Sequence, residues 1–389
     1  MKLRTSNSQR GFTLLELMIS AIVGLILMVA MTSLFRQASN TLFTVTQRAE
    51  TQQNMRAGIE LMTKDITLAG AGLPSGGLQL PTASSTKIAC NQGGTCYVPA
   101  ATYPNGNYMT GIIPGFSNGV QGGAAIPNAP TAVNDSLTAI YADYNFVLSN
   151  FTFTFPGGGA STPATVTVVA SPTAGEPTNI LAPGGLNVGD LLLFQVQNAG
   201  TGVGAANGQG TSYVQTAAAV AEITGITGTG PWTISFGSPD PLNFNQAGAN
   251  SLAAALASAA AGNIMKVYRL YAVTYFLEVP AAGGGMVQTP RLMRQVNGLT
   301  AVPVADNIIN LQFSYDVINS VSGTLDANQS NPLGAGDNLA LIQKVNMWIM
   351  GEGLQSGTNR SQSMYLATSV SAGNMSFCNS LSNSGTVCQ

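Results

Sequence analysis

The sequence predicts an α+β protein: a long N-terminal α-helix, transmembrane and then amphipathic, packed on a β-rich C-terminal head with large loop insertions. Three observations carry this reading. Phe12 to Phe35 is a run of 24 residues with one formal charge, Glu16, which is long enough to cross a bilayer as a helix. Apolar residues then recur at spacings of three and four as far as Ala69. From residue 135 the spacing changes to two, between clusters of glycine and proline.

Composition bounds the function. The chain has 389 residues, of which 45% are hydrophobic and 8% charged, and this suits one or two domains with a substantial core. Histidine is absent, which removes His-based triads, His metal ligands and His general bases together. No basic run occurs beyond the first ten residues, so the electrostatic footprint of a nucleic-acid binder is missing. We expect no enzyme, no cofactor and no metal site.

The first element is the N-terminal segment. Lys2, Arg4 and Arg10 precede the apolar run and no acid accompanies them. Such a flank keeps the N-terminus cytoplasmic and sends the rest of the chain across the membrane. Gly11 stands directly before the run. A secretory signal is cut after its apolar region, whereas a cut after Gly11 removes a basic leader (1–11) and leaves the apolar helix on the mature chain. Loss of the leader's three positive charges takes the net charge from −2 to −5. Glu16 lies in the first turns of the helix, where an acid is unfavourable in lipid and invites a functional explanation.

The helix is expected to continue through residues 36–73 as an amphipathic extension. Its apolar face is Leu42, Val45, Ala49, Met55, Ile59, Met62, Ile66 and Ala69, with Gln52 as a polar member. No proline interrupts residues 12–73, and Gly70, Gly72 and Pro74 end the pattern. A helix of about 58 residues would be about 87 Å long. Gly24 and Gly58 are its weak points, at up to ~1 kcal/mol each relative to alanine.

Residues 75–262 read as an insertion. Its first part, 75–130, is rich in Gly, Pro, Ala, Asn and Thr and is expected to be loop. A β-rich subdomain over 131–240 follows, with strands at 135–144, 151–155, 165–168, 191–196, 217–223 and 232–236. Residues 248–262 are alanine-rich and suit a short helix or linker. Strands return at 264–279, 291–296, 308–315 and 341–350, and the tail from 353 is polar.

Four cysteines form two sequence-local pairs, Cys90 with Cys96 and Cys378 with Cys388. Four cysteines allow three connectivities. In the oxidising compartment that the topology implies, we expect the two local disulfides Cys90–Cys96 and Cys378–Cys388. A four-thiolate zinc site is the weaker rival, because the spacings exceed those of tight zinc pairs.

Other constellations have plainer readings. Gly200, Gly202 and Gly204 follow a strand, but no helix pattern follows them, so they read as a turn rather than a phosphate cradle. Asp135, Asp143 and Asn145 lack the spacing of a calcium loop and read as solvated strand-edge groups, as do Asp306 and Asp316. Phe151, Phe153, Phe155, Trp232 and Trp348 fit strand cores.

The N-terminal residues carry a resemblance. Gly11-Phe12-Thr13-Leu14-Leu15-Glu16 resembles the signal of type IV prepilins and type II secretion pseudopilins. Gln53 to Gly70, with Arg56, Leu61, Asp65, Ile66, Ala69 and Gly70 at matching positions, is similar to the helix end of PilW-type minor pilins and more distantly of GspJ-type pseudopilins. Leu292-Met293-Arg294 and Ile308 to Tyr315 resemble later strands of the same family. The likeness covers 1–73 and 264–350 well, 131–240 loosely and 75–130 hardly at all.

The resemblance implies cleavage after Gly11 by prepilin peptidase, methylation of Phe12 and an assembly role for Glu16. It implies a pilin-like sheet within 264–389. It implies residence in the inner membrane as a single span with the head in the periplasm, followed by entry into a pilus at the cell surface. The partners it implies are other minor pilins and the major pilin, met through the N-terminal helix. The role it implies is assembly or priming at or near the filament tip. A pseudopilin role, or an adhesin role for residues 75–262, is the alternative. Cleavage would create an ammonium at Phe12. The Glu16 carboxylate can neutralise it on the same helix or on a neighbouring subunit, and both pairings remain open.

Overall fold

A computed structural model describes residues 11–74, 77–81, 108–115, 120–121, 134–143, 145–146, 148–154, 165–170, 178–199, 213–237, 240–259, 264–279, 289–319, 321–330, 337–354 and 361–375. The architecture is α+β: a long N-terminal apolar helix followed by a β-rich region with loops. Cys90, Cys96, Cys378 and Cys388, and the glycines at 200, 202 and 204, lie outside the described residues.

Helix α1 spans Leu14–Leu68, 55 residues, or about 82 Å at 1.5 Å per residue. It ends earlier than the apolar spacing predicts, because Ala69 turns extended (φ −54°, ψ 134°). Gly70 and Gly72 then take positive φ, 84° and 75°, values that favour glycine. This exit is used at once. Gly70 N donates to Ile140 O at 2.8 Å and Ala142 N to Ala71 O at 2.7 Å, so the chain leaving α1 is tied to a strand of the head.

The strands, in chain order, are β1 (Leu78–Gln79), β2 (Tyr108–Met109), β3 (Ile112–Gly115), β4 (Val120–Gln121), β5 (Ser136–Asp143), β6 (Phe151–Thr154), β7 (Thr165–Ala170), β8 (Leu191–Ala199), β9 (Tyr213–Glu222), β10 (Gly225–Thr227), β11 (Trp232–Ser235), β12 (Ile264–Glu278), β13 (Arg291–Val296), β14 (Val302–Asp306), β15 (Ile308–Asn319), β16 (Leu325–Gln329), β17 (Asp337–Leu354) and β18 (Ser361–Ser371). A second helix, α2, spans Leu252–Ala259. Strands β1 to β4 fall where the composition predicts only loop, and β14, β16 and β18 also go beyond the expected set.

The 15-residue β12 is the spine of the largest sheet. It pairs with β8 over Ile264–Leu270, with β5 over Arg269–Tyr275 and with β13 over Val273–Glu278. Strands from 131–240 and from 264–350 therefore share one sheet. The C-terminal sheet has the order β16-β15-β17-β18, and β17 holds its centre with 18 residues.

The main core lies where α1 meets these two sheets. Met55, Met62, Ile66 and Ala69 pack with Val273, Tyr275, Leu292, Phe313, Val345 and Ile349. A second core joins β6, β7, β8, β11 and α2 around Phe151, Phe194 and Trp232. Strand β5 is buried at every position, so it is covered on both faces and the alternation expected of a half-exposed strand does not apply.

Three expectations about polar groups are corrected here. Asp135 and Asp143 are buried, not solvated. Asp135 Oδ2 accepts from Phe313 N at 3.1 Å. Asp143 pairs with Arg269, whose Nε donates to Oδ2 at 2.9 Å, while Asp190 lies 3.6 Å from the same guanidinium. Their oxygens are committed to the fold, which is why no calcium loop is needed to explain them. Asp316 is likewise buried and paired with Lys344 at 2.8 Å.

Candidate functional site

The candidate site is the N-terminal half of α1 together with the lock that fixes its C-terminal half to the head. Gly11 precedes the helix and is exposed, and no described residue lies near enough to obstruct its α-carbon. Phe12 is 89% exposed. Thr13 is the N-cap. Its backbone N–H donates to Glu16 Oε2 at 3.1 Å, its hydroxyl donates to the same oxygen at 3.2 Å, and Glu16 N donates to Thr13 Oγ1 at 3.3 Å. This reciprocal arrangement is a capping box. It holds the Glu16 carboxylate at the positive end of the helix macrodipole, four residues from Phe12.

From Leu14 to Phe35 the apolar side chains stand exposed all around the helix. This first half is long and apolar enough to cross a membrane, and none of it is buried against the head. Unburied apolar surface on that scale is unfavourable in water and demands lipid or partner helices. The head does not cover the helix where the apolar face first resumes. Leu42 is 68% exposed, and Ala49 and Gln52 are also exposed. Burial begins at Thr51 and then follows Met55, Gly58, Met62, Asp65 and Ile66. The amphipathic extension is thus half free and half docked.

Docking is tight because glycines stand at the contacts. A Cβ at Gly58 would lie 2.8 Å from Leu292 Cδ2, and one at Gly351 would lie 2.6 Å from Thr51 Cγ2. Gly58 looks from sequence like a weak point in the helix. In the fold it packs closely against Leu292 of β13.

Asp65 closes the lock. It is 1% exposed. Tyr141 Oη donates to its Oδ1 at 2.7 Å, Tyr275 Oη donates to Oδ2 at 2.5 Å, and Arg294 Nε donates to Oδ2 at 2.9 Å. One carboxylate on α1 so gathers β5, β12 and β13. Burial, then the Asp65 charge and hydrogen bond, push both phenols well above their ordinary range. Burial opposes the Arg294 charge, but its bonds to Asp65 prevail and raise its pKa. All three donors keep their protons at any physiological pH. The sequence hint to it is the Asp65-Ile66 dipeptide near the helix end and Arg294 within Leu-Met-Arg.

Among the described residues no group of three or more Cys, Asp or Glu side chains is placed to hold a metal.

Residues 6–32 match the family described as the prokaryotic N-terminal methylation motif. This is the prepilin-type signal. No curated protein and no solved structure matches the chain. The match spans Gly11, Phe12 and Glu16 and most of the exposed apolar half of α1. It supports a type IV pilin-like or pseudopilin-like subunit. It implies processing by prepilin peptidase and assembly with other pilins, and the apolar helix is consistent with membrane anchoring before assembly.

Proposed function

We propose that the chain is a PilW-type minor pilin that takes part in type IV pilus assembly, acting at or near the filament tip to prime it. It serves as a structural subunit, not an enzyme. The observation that carries this is the division of α1: an unburied apolar half behind a methylation motif, and a half locked to a large head by Asp65. The free half enters a bundle of like helices, where dispersion and lipid exclusion hold it. Glu16 meets a neighbouring Phe12 ammonium, which offsets two charges in an apolar bundle. A bulky β-rich head fits the end of a filament better than its repeating shaft, and this supports the tip placement.

The test is mass spectrometry of the mature N-terminus from membrane and sheared-filament fractions, with and without prepilin peptidase. A chain that starts at methylated Phe12 only when the peptidase is present is expected. A chain that still starts at Met1 in filament-producing cells overturns the proposal. Deletion of the gene is expected to reduce surface filaments, whereas loss of protein secretion with filaments intact would identify a secretion pseudopilus instead.

A further inference from the structure

The outer face of the C-terminal sheet, opposite α1, holds a groove of about 450 Å³, within the range of small-ligand sites, about 300–1,000 Å³. Its shape follows from strand register. Gln312, Trp348 and Ala367 align in one row across β15, β17 and β18, and Ser314, Asn346 and Ser369 align in the next. Small side chains on β18 leave the floor low, and Trp348 rises beside them. Trp348 is not a core residue, as its strand pattern suggests; it lies on the outer face, half-exposed. Its ring stacks with that of Tyr365 at 6.3 Å and 28°, and Tyr365 is 67% exposed. The two rings extend an aromatic platform from the groove.

The polar wall is ordered in advance. Asn346 Nδ2 donates to Asp316 Oδ1 and to Asn328 Oδ1, both at 3.0 Å, and Asn328 N donates to Asp316 Oδ1 at 2.9 Å. With Nδ2 engaged, the Asn346 side chain offers its Oδ1 as an acceptor, next to the Ser314 hydroxyl and the Asn328 amide. Among the described residues the groove is lined without a formal charge, and the neighbouring ions Asp316 and Lys344 neutralise each other.

We infer that this groove binds a neutral saccharide, one face of a sugar ring lying on Trp348 while its hydroxyls bond the fixed amides. An aromatic face takes the apolar side of a pyranose, fixed amides and hydroxyls pair with its equatorial hydroxyls, and a groove without charge recognises a ligand without charge. Among the described residues, a phosphate or an acidic peptide would find no cation there except the committed Lys344. Because α1 covers the opposite face of the sheet, the groove stays open when the apolar half of α1 is packed among other helices. The site stands independently of the filament reading.

The chain contains two tryptophans, and Trp232 is buried in another core, so Trp232→Phe leaves Trp348 as the reporter. The full chain, held in lauryldimethylamine oxide to avoid sugar-headed detergents, is titrated by tryptophan fluorescence with diacetylchitobiose and, separately, with maltose. A saturable change is expected with at least one, with a Kd of about 1 mM. Preference for chitobiose assigns the site to amino-sugar polymers, and preference for maltose to unacetylated glucans. Ala367→Arg fills the floor, and Tyr365→Ala shortens the platform. Each is expected to weaken binding about tenfold or more while the circular dichroism spectrum is unchanged. No saturable response to either disaccharide, or undiminished affinity in both folded variants, overturns the assignment.

Discussion

Tyr275, towards the C-terminal end of β12, donates its hydroxyl to Asp65 on α1 across 2.5 Å, and this bond joins residues 210 positions apart in sequence. Arg294 shares the same carboxylate oxygen at 2.9 Å. The exposed half of α1 can act as a handle for the head only because this end is held firmly. Removing one partner of a buried pair leaves the other uncompensated. Asp65→Asn is therefore expected to lower the stability of the head by about 3 kcal/mol. Tyr141→Phe, which deletes one hydrogen bond, should cost about 1 kcal/mol, and Tyr275→Phe, which also deletes the bond its hydroxyl accepts from Arg294 Nε at 3.2 Å, about 1–2 kcal/mol. Chemical denaturation in detergent, read by near-ultraviolet circular dichroism, checks this. An Asp65→Asn midpoint equal to the parent's would mean that apolar packing alone holds the helix.

Gly58 offers a second and separable test of the same contact. Alanine there gains up to ~1 kcal/mol of helix propensity but must push the buried Leu292 side chain, whose Cδ2 would be 2.8 Å from the new Cβ. The two effects are of similar size, so Gly58→Ala should be close to neutral. Gly58→Leu cannot be accommodated and should destabilise by about 1–3 kcal/mol. Leu292→Ala in the same chain opens the space, so the double variant should be more stable than the sum of the two single changes implies. Strict additivity would show that the two side chains do not meet.

These contacts mark what a sequence discloses and what it hides. Gly11, Phe12 and Glu16 lie within six consecutive residues, and the apolar run behind them is continuous, so the methylation motif and α1 are legible from order alone. The Asp65 lock is not, because its hydroxyl and guanidinium partners arrive from three strands whose pairing only the folded topology decides. Strand β18 escapes notice for a different reason. Its helix-facing positions include Gln362 and Thr368 as well as Met364 and Leu366, so polar residues occur on both faces and the period of two is blurred. Leu42 and Val45 continue the apolar spacing but remain exposed, since periodicity identifies a sticky face without saying whether the chain's own head or a neighbour covers it.

Glu222 at the end of β9 makes stability depend on pH. It is 1% exposed, and burial raises its pKa from 4.5 to about 7, against the Leu242 N–H bond and with help from the Asp240 charge. A carboxyl with a raised folded pKa binds its proton more tightly in the folded state. Its contribution is complete below the unfolded value of 4.5 and is lost as pH rises through about 7. The head should therefore lose stability between those values, by at most ~1.4 kcal/mol per pH unit from this group, and level off above. Glu222→Gln removes the titration and should flatten the profile across that window. Denaturation midpoints at a series of pH values decide it: an unchanged slope in Glu222→Gln would place the titration elsewhere, with Asp240 the next group to replace.

At the other end of the molecule, the capping box turns an open question about Glu16 into an experiment. In the single chain its carboxylate already accepts from Thr13 N and Thr13 Oγ1. Two roles are thus superposed on one side chain: closing the helix, for which the charge is dispensable, and pairing with an ammonium, for which it is essential. Glutamine separates them, because an N3 glutamine reaches back to the N-cap as glutamate does. If capping were the whole role, Glu16→Gln would enter filaments like the parent and only Glu16→Ala would fail. If the charge pairs with a neighbouring Phe12 ammonium, both variants should insert into the membrane and be cut after Gly11, yet both should fall in the sheared-filament fraction by about tenfold or more, the equivalent of ~1.4 kcal/mol or more per subunit. We expect the second outcome, since a charge held in an apolar helix bundle is costly unless an opposite charge meets it. Quantitative immunoblots of membrane and sheared fractions distinguish the two, and mass spectrometry of the N-terminus confirms that processing was untouched.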